Sequence, residues 1–154
     1  MHVEFVTDTY PPDINGAAKT LAHLVKKLRN TGHKVTLIGP HAHSSLPVFS
    51  IRVPNYSSVN IGLIRASTLK SYWQKHRPDV IYIAGEAFLG FAAMKAASKL
   101  EIPVIAGYHT NFSQYAENWK LKFLAKPAIR HLRKFHNRAP ANVIPSLSVI
   151  EDLK

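Results

Sequence analysis

Residues 79–107 read DVIYIAGEAFLGFAAMKAASKLEIPVIAG. Val80-Ile81-Tyr82-Ile83-Ala84 is an apolar run of strand length, stopped by Gly85. From Phe88 to Leu100 the run is rich in small residues, with Ala92, Ala93, Ala96 and Ala97 among them. A helix of that composition can approach a sheet closely. Pro103 to Gly107 then reads as a second strand. Strand, helix, strand is a right-handed crossover unit. Strands that are apolar on both faces belong to a parallel sheet covered by helices on each side.

The same alternation extends in both directions. Val3 to Thr7 predicts a first strand, and Asp8 to Gly16 a loop containing Pro11-Pro12 and the turn pair Asn15-Gly16. In Ala17 to Asn30, Leu21, Leu24, Val25 and Leu28 fall at helical spacing, and Gly32 suits the helix end. Lys34 to Ile38 predicts the second strand. A Ser-, Pro- and His-rich stretch, 41–59, contains a third strand at Val48 to Val53, and Leu63 to Lys75 predicts a helix. Asn111 to Arg138 is helical and should break or kink near Pro127. Asn142 to Pro145 predicts a last short strand, and Ser146 a helix cap. The expectation is one α/β domain over residues 1–154, a Rossmann-like, doubly wound, mostly parallel sheet.

Composition narrows the function. With 46% hydrophobic and 19% charged residues in a chain of 154, disorder is excluded. The chain has no cysteine, which removes disulfide scaffolds, zinc ribbons and thiol catalysis and fits a reducing, cytoplasmic setting. Twenty Lys+Arg against nine Asp+Glu give a net charge of +11, which calls for an anionic neighbour. No apolar run approaches the ~20 residues that span a bilayer. Met1 to Thr7, followed at once by Asp8, reads as a strand and not as a secretory leader.

In a sheet of this kind ligands bind at the carboxyl ends of the strands. Three loops lie there: Asp8–Gly16, Gly85–Leu89 and Tyr108–Tyr115. Gly16, at a strand–helix junction, can admit a phosphate to free backbone N–H groups, or it can simply permit a turn. Neither GxGxxG nor GxxxxGK[ST] is present. Glu86 can bind a sugar hydroxyl or serve as a base, or it can favour the start of the following helix through the dipole. His109, among Tyr108, Thr110 and Asn111, suits contact with a polar ligand, or it is satisfied by the backbone. The histidines show no metal-binding spacing.

The last feature runs from Glu117 to Arg138. Lys120, Lys122, Lys126, Arg130, Arg133, Lys134 and Arg138 alternate there with Trp119, Phe123, Leu132 and Phe135. A basic amphipathic helix suits an anionic membrane surface. Its apolar residues can equally pack on the sheet, leaving the charges outside. No nucleic-acid motif is present and the charge gathers in this one segment, so nucleic acid is not the expected partner.

Val6-Thr7-Asp8-Thr9-Tyr10-Pro11-Pro12 with Asn15-Gly16, then Arg77-Pro78-Asp79-Val80-Ile81, Tyr108-His109-Thr110-Asn111-Phe112 and Phe135-His136-Asn137-Arg138 together resemble the N-terminal domain of family 4 glycosyltransferases. The resemblance covers nearly the whole chain and is nearest the mannosyl, glucosyl and sulfoquinovosyl transferase branch. It implies a two-domain GT-B architecture and a retaining hexosyltransferase. The nucleotide-sugar donor, of GDP-mannose or UDP-glucose type, is a substrate, and neither a metal nor another cofactor is expected. The acceptor is a lipid or a glycan. The donor-binding C-terminal domain is absent from this chain and would act in cis or in trans, so the chain alone should be inactive.

By the same resemblance His109 is catalytic, facing the transferred sugar, and Asn15, Gly16 and Lys19 lie by the donor phosphate and acceptor. Tyr10, Glu86, Thr110, Asn111 and Tyr115 are expected to bind the acceptor. From the surplus charge of the basic segment, not from the resemblance, Lys120, Lys122, Arg130, Arg133 and Lys134 are expected to face an anionic membrane on which the protein is peripheral. Gly85-Glu86-Ala87 departs from the family pattern, which has Thr before the glutamate and Gly-Pro after it. The alternatives are a stand-alone sugar-phosphate or nucleotide-binding module, or half of a split enzyme.

Overall fold

The computed structural model describes residues 1–53, 56–109 and 125–144. Strands β1 (His2–Thr7), β2 (Lys34–Ile38), β5 (Val80–Ala84), β6 (Val104–Gly107) and β7 (Ala141–Val143) form one sheet in the order β2-β1-β5-β6-β7. Every pairing in it is parallel. The expected parallel α/β sheet is present, with its strand order reversing between β1 and β5.

Alternation along the strands sorts the core into two layers. Val3 and Phe5 of β1 pack with Leu21 and Val25 of α1 (Gly16–Asn30) on one face. Val6 joins Leu69 and Trp73 of α2 (Ala66–Lys75) and Ala93 and Ala97 of α3 (Phe88–Lys99) on the other. Phe135 of α4 (Ala125–His136) joins that second layer and is fully buried. Glu4 is also fully buried there. Its Oε2 accepts from Trp73 Nε1 at 3.3 Å, and burial holds its carboxyl above the usual range.

Helices α1 and α3 end in the same pair of hydrogen bonds. After α1, Gly32 N–H donates to Arg29 O and His33 N–H to Leu28 O, with Gly32 at φ +84°. After α3, Glu101 N–H donates to Ser98 O and Ile102 N–H to Ala97 O, with Glu101 at φ +53°. The first turn uses the residue that adopts this conformation without strain.

Three sequence expectations are corrected. The strand expected at Val48–Val53 forms as β3 (Phe49–Val53), but it pairs antiparallel with β4 (Tyr56–Leu63) in a separate hairpin. Leu63 therefore ends a strand, and the helix expected from it starts at Ala66. The final strand lies at Ala141–Val143, one residue earlier than its expected start. Pro127 sits in the first turn of α4, where its missing N–H removes no helical bond. The remainder of the helix expected over Asn111–Arg138, up to residue 124, and the cap at Ser146 lie outside the described residues.

Candidate functional site

The carboxyl ends of β1, β5 and β6 bring the first two loops and the described start of the third, Tyr108 and His109, to one end of the sheet. The first loop closes largely on itself. Thr7 Oγ1 donates to Thr9 O at 2.8 Å, and Thr9 Oγ1 donates to Asp13 Oδ2 at 2.9 Å. Asn15 Nδ2 donates to Thr9 Oγ1 at 2.7 Å, while Asn15 Oδ1 accepts from Ala18 N–H at 2.8 Å. Asn15 is thus the N-cap of α1, and its amide ties the cap to the loop. Gly16 begins the helix exposed, with open space where a Cβ would be. Lys19 is exposed in a first turn that holds no acid. A cation there opposes the helix dipole, and an anion bound at the N–H groups would offset it. Tyr10 is buried against Phe5 and Leu21, with its ring 5.4 Å from that of His41.

Asp8 links this loop to the hairpin. Its Oδ1 accepts from Gly62 N–H of β4 at 2.7 Å, and its Oδ2 lies 3.1 Å from where a Cβ on Gly85 would stand. Desolvation, only partly offset by the Gly62 bond and reinforced by the Glu86 charge, pushes the Asp8 carboxyl up to about 6.

Glu86 follows β5 and is 3% exposed. Its Oε1 accepts from His136 Nε2 at 3.1 Å, whereas Oε2 is buried with no partner among the described residues. On the far side of the imidazole, His136 Nδ1 meets Asn142 Oδ1 at 2.7 Å, and Asn142 Nδ2 donates to His136 O at 3.1 Å. Burial alone disfavours a charged His136. The hydrogen bonds to Glu86 and Asn142 and the Glu86 charge outweigh it, so His136 titrates above its ordinary value. Helix α4 touches the loop a second time through His131 Nε2, 3.1 Å from Glu86 O. Glu86 directly precedes Ala87, the cap residue of α3, so the dipole alternative stays open beside the buried pair with His136.

His109 follows β6 and is half-buried. Its Nε2 lies 2.8 Å from the hydroxyl of Tyr82 on β5. Burial lowers the His109 pKa, and the Glu86 charge raises it back only in part, so the imidazole is neutral at pH 7. The Tyr82 phenol is pushed up to about 12 by burial. A Cβ on Gly107 would collide with the Tyr82 hydroxyl and stand 2.7 Å from His109 Nε2, so only glycine leaves room for this contact.

The structure therefore gathers Asp8, Glu86 and His109 at the strand ends, with Asn15, Gly16 and Lys19 at the neighbouring helix start. Thr110, Asn111, Tyr115, Lys120 and Lys122 lie outside the described residues. On α4, Arg130, Arg133 and Lys134 are exposed, Leu132 and Phe135 are buried in the core, and Ile129 remains exposed. Among the described residues no group of three acidic, Cys or His side chains is placed to hold a metal, and no helix is long and apolar enough to cross a membrane. Sequence reading missed Tyr82, which looked like one more strand residue, and Asn142. His136 was visible only within the segment Phe135–Arg138.

Residues 14–154 match the sequence model of a family described as Glycosyltransferase Family 4. A GDP-mannose-dependent alpha-mannosyltransferase of Mycolicibacterium smegmatis is 28% identical over 99% of this chain and 44% of its own length. A sulfoquinovosyl transferase of Arabidopsis thaliana is 24% identical over 91% of this chain and 29% of its own length. An alpha-monoglucosyldiacylglycerol synthase of Streptococcus pneumoniae is 26% identical over 99% and 37%. The chain spans less than half the length of these curated relatives. Among solved structures, a UDP-GlcNAc 2-epimerase of Methanocaldococcus jannaschii superposes over 99% of this chain and 42% of its own, with a TM-score of 0.59 at 18% identity, a likeness of fold.

Proposed function

The chain belongs to glycosyltransferase family 4, and from that premise we propose that it is the acceptor-side half of a retaining hexosyltransferase. The enzyme would move a hexose from a nucleotide sugar of GDP-mannose or UDP-glucose type to a lipid or glycan acceptor, without a metal. The observation that carries the reading is that His109, Glu86 and the loop into α1 each follow the carboxyl end of one of three neighbouring strands, β6, β5 and β1, within a chain that matches the family along 14–154. Transfer through an oxocarbenium-like state needs a stabilised leaving diphosphate and an oriented acceptor hydroxyl. The exposed Gly16 and Lys19 suit the diphosphate. Glu86 Oε2, buried and unpartnered among the described residues, suits an acceptor hydroxyl. His109 would face the sugar. The groups that hold the nucleotide belong to the remaining length of such relatives, supplied in cis or in trans.

The test compares the chain alone with the chain joined to the C-terminal half of a relative, with GDP-mannose and UDP-glucose as donors. Negligible turnover alone, turnover when joined, and a roughly 100-fold loss of kcat in joined His109→Ala are expected. Turnover by the chain alone at the rate of a complete relative would overturn the half-site reading. The acceptor is proposed to come from a membrane, because α4 leaves Arg130, Arg133 and Lys134 exposed beside the exposed Ile129 while Leu132 and Phe135 are buried, and each cation near an anionic leaflet contributes about 1 kcal/mol. Salt-sensitive sedimentation with anionic but not neutral vesicles is expected. Equal binding to both would favour a soluble acceptor.

A further inference from the structure

The contact between Tyr82 and His109 decides what the imidazole can do. Tyr82 stands on β5 with its ring packed 4.8 Å from Phe5, so the hydroxyl is delivered to one place. That place is 2.8 Å from His109 Nε2. Gly107, the last residue of β6, keeps the path open, because any side chain there would displace both groups. A buried phenol O–H needs an acceptor. Among the described residues Tyr82 Oη has no hydrogen-bond partner other than His109 Nε2. The protonated ring nitrogen of a neutral histidine is set by the hydrogen bond its other nitrogen makes.

We propose that Tyr82 is a positioning residue whose phenol donates to His109 Nε2 and fixes the imidazole as the Nδ1–H tautomer. His109 then meets a ligand as a hydrogen-bond donor to an oxygen, such as a sugar hydroxyl or a phosphate oxygen, and not as the base that takes a proton from it. This rests on the reading of His109 as the sugar-facing group, and it assigns that group its chemistry. A neutral imidazole in water favours the other tautomer, Nε2–H, so the two possibilities are spectroscopically opposite.

The experiment is ring ¹⁵N–¹H correlation on the chain with ¹⁵N-labelled histidine at pH 7.5, with no ligand added. Wild type is expected to show His109 with a protonated Nδ1 and a hydrogen-bonded, unprotonated Nε2. Tyr82→Phe, which keeps the packed ring and removes the hydroxyl, should shift His109 toward Nε2–H. Gly107→Ala should do the same by forcing the two groups apart. An Nε2–H tautomer in wild type, or an unchanged tautomer in folded Tyr82→Phe, would overturn the proposal. If Tyr82→Phe does not fold, the wild-type spectrum decides alone. No donor, acceptor or second domain enters the measurement. Failure of the transferase reading would therefore leave this result standing, and the reverse also holds.

Discussion

Thr7, Thr9, Asp13 and Asn15 in the first loop find their partners within six residues of themselves. Across the sheet, His109 reaches Tyr82 from 27 residues away, and Glu86 is held by His131 and His136 from 45 and 50. The first loop can shape the start of α1 from local bonds alone. The second group exists only when β5, β6, α4 and β7 are all in place, so its geometry is tied to the stability of the whole domain. Two halves of one site thus answer differently to the same perturbation. Asp8 is the exception in the first loop, since its partner Gly62 is 54 residues distant.

The sharpest way to break the contrast is His136→Ala. It leaves the buried Glu86 carboxylate without its partner, which should cost about 3 kcal/mol or more and lower Tm by roughly 10 °C. Because folding raises the His136 pKa, the stabilisation is full below pH 6.5 and is lost as pH rises through the folded value. The loss should therefore be larger at pH 6 than at pH 8, as thermal melts at the two pH values would show. A small loss, equal at both, would mean that the pair carries little.

Asp8→Asn should act in the opposite direction and by less. Folding raises the Asp8 pKa from 3.8 to about 6, so its favourable contribution is present below pH 4 and is lost as pH rises through 6. The amide can still accept from Gly62 N–H and carries no charge. Melts should show a gain of several degrees at pH 7.5 and almost none at pH 4, and destabilisation at both would refute the sign. Smallest is Asn15→Ala, which removes a helix cap and should cost about 1 kcal/mol, or roughly 3 °C. Amide exchange should loosen at the start of α1 and stay unchanged at Tyr82 and His109. Loosening at both places would erase the distinction between the halves.

The same division explains what could be read from the amino-acid order. Strands β5 and β6 were legible because burial on both faces leaves a continuous apolar run, and β1 from Val3, Phe5 and Val6 in spite of Glu4. Asn15 was read as half of a turn pair, and its role as the cap of α1 was missed although capping is a local relation. Strand β4 was not. Val59, Ile61 and Leu63 alternate as a strand should, but Ser57, Ser58, Asn60 and Gly62 between and before them read as loop. Glu86 and His109 could be picked out as polar residues after strands, yet their partners could not. Tyr82 looked like core, and nothing local to Gly107 shows that a hydroxyl from the neighbouring strand passes over it. Glu4 was illegible for the same reason, being an acid inside an apolar strand whose indole partner lies 69 residues on.

Strand β7 has all three of its residues exposed, so no buried side chain of its own anchors it. Its place rests on the ladder to β6 and on the two bonds between Asn142 and His136. Such an edge is the natural first step of sub-global opening, because water can replace hydrogen bonds more readily than it can enter a packed layer. Native-state exchange should then form a gradient across the sheet, rising from β7 through β6 to the β1–β5 centre. The Glu86 side of the candidate site would flicker open on a faster clock than the start of α1, giving the domain one quick wall and one slow one.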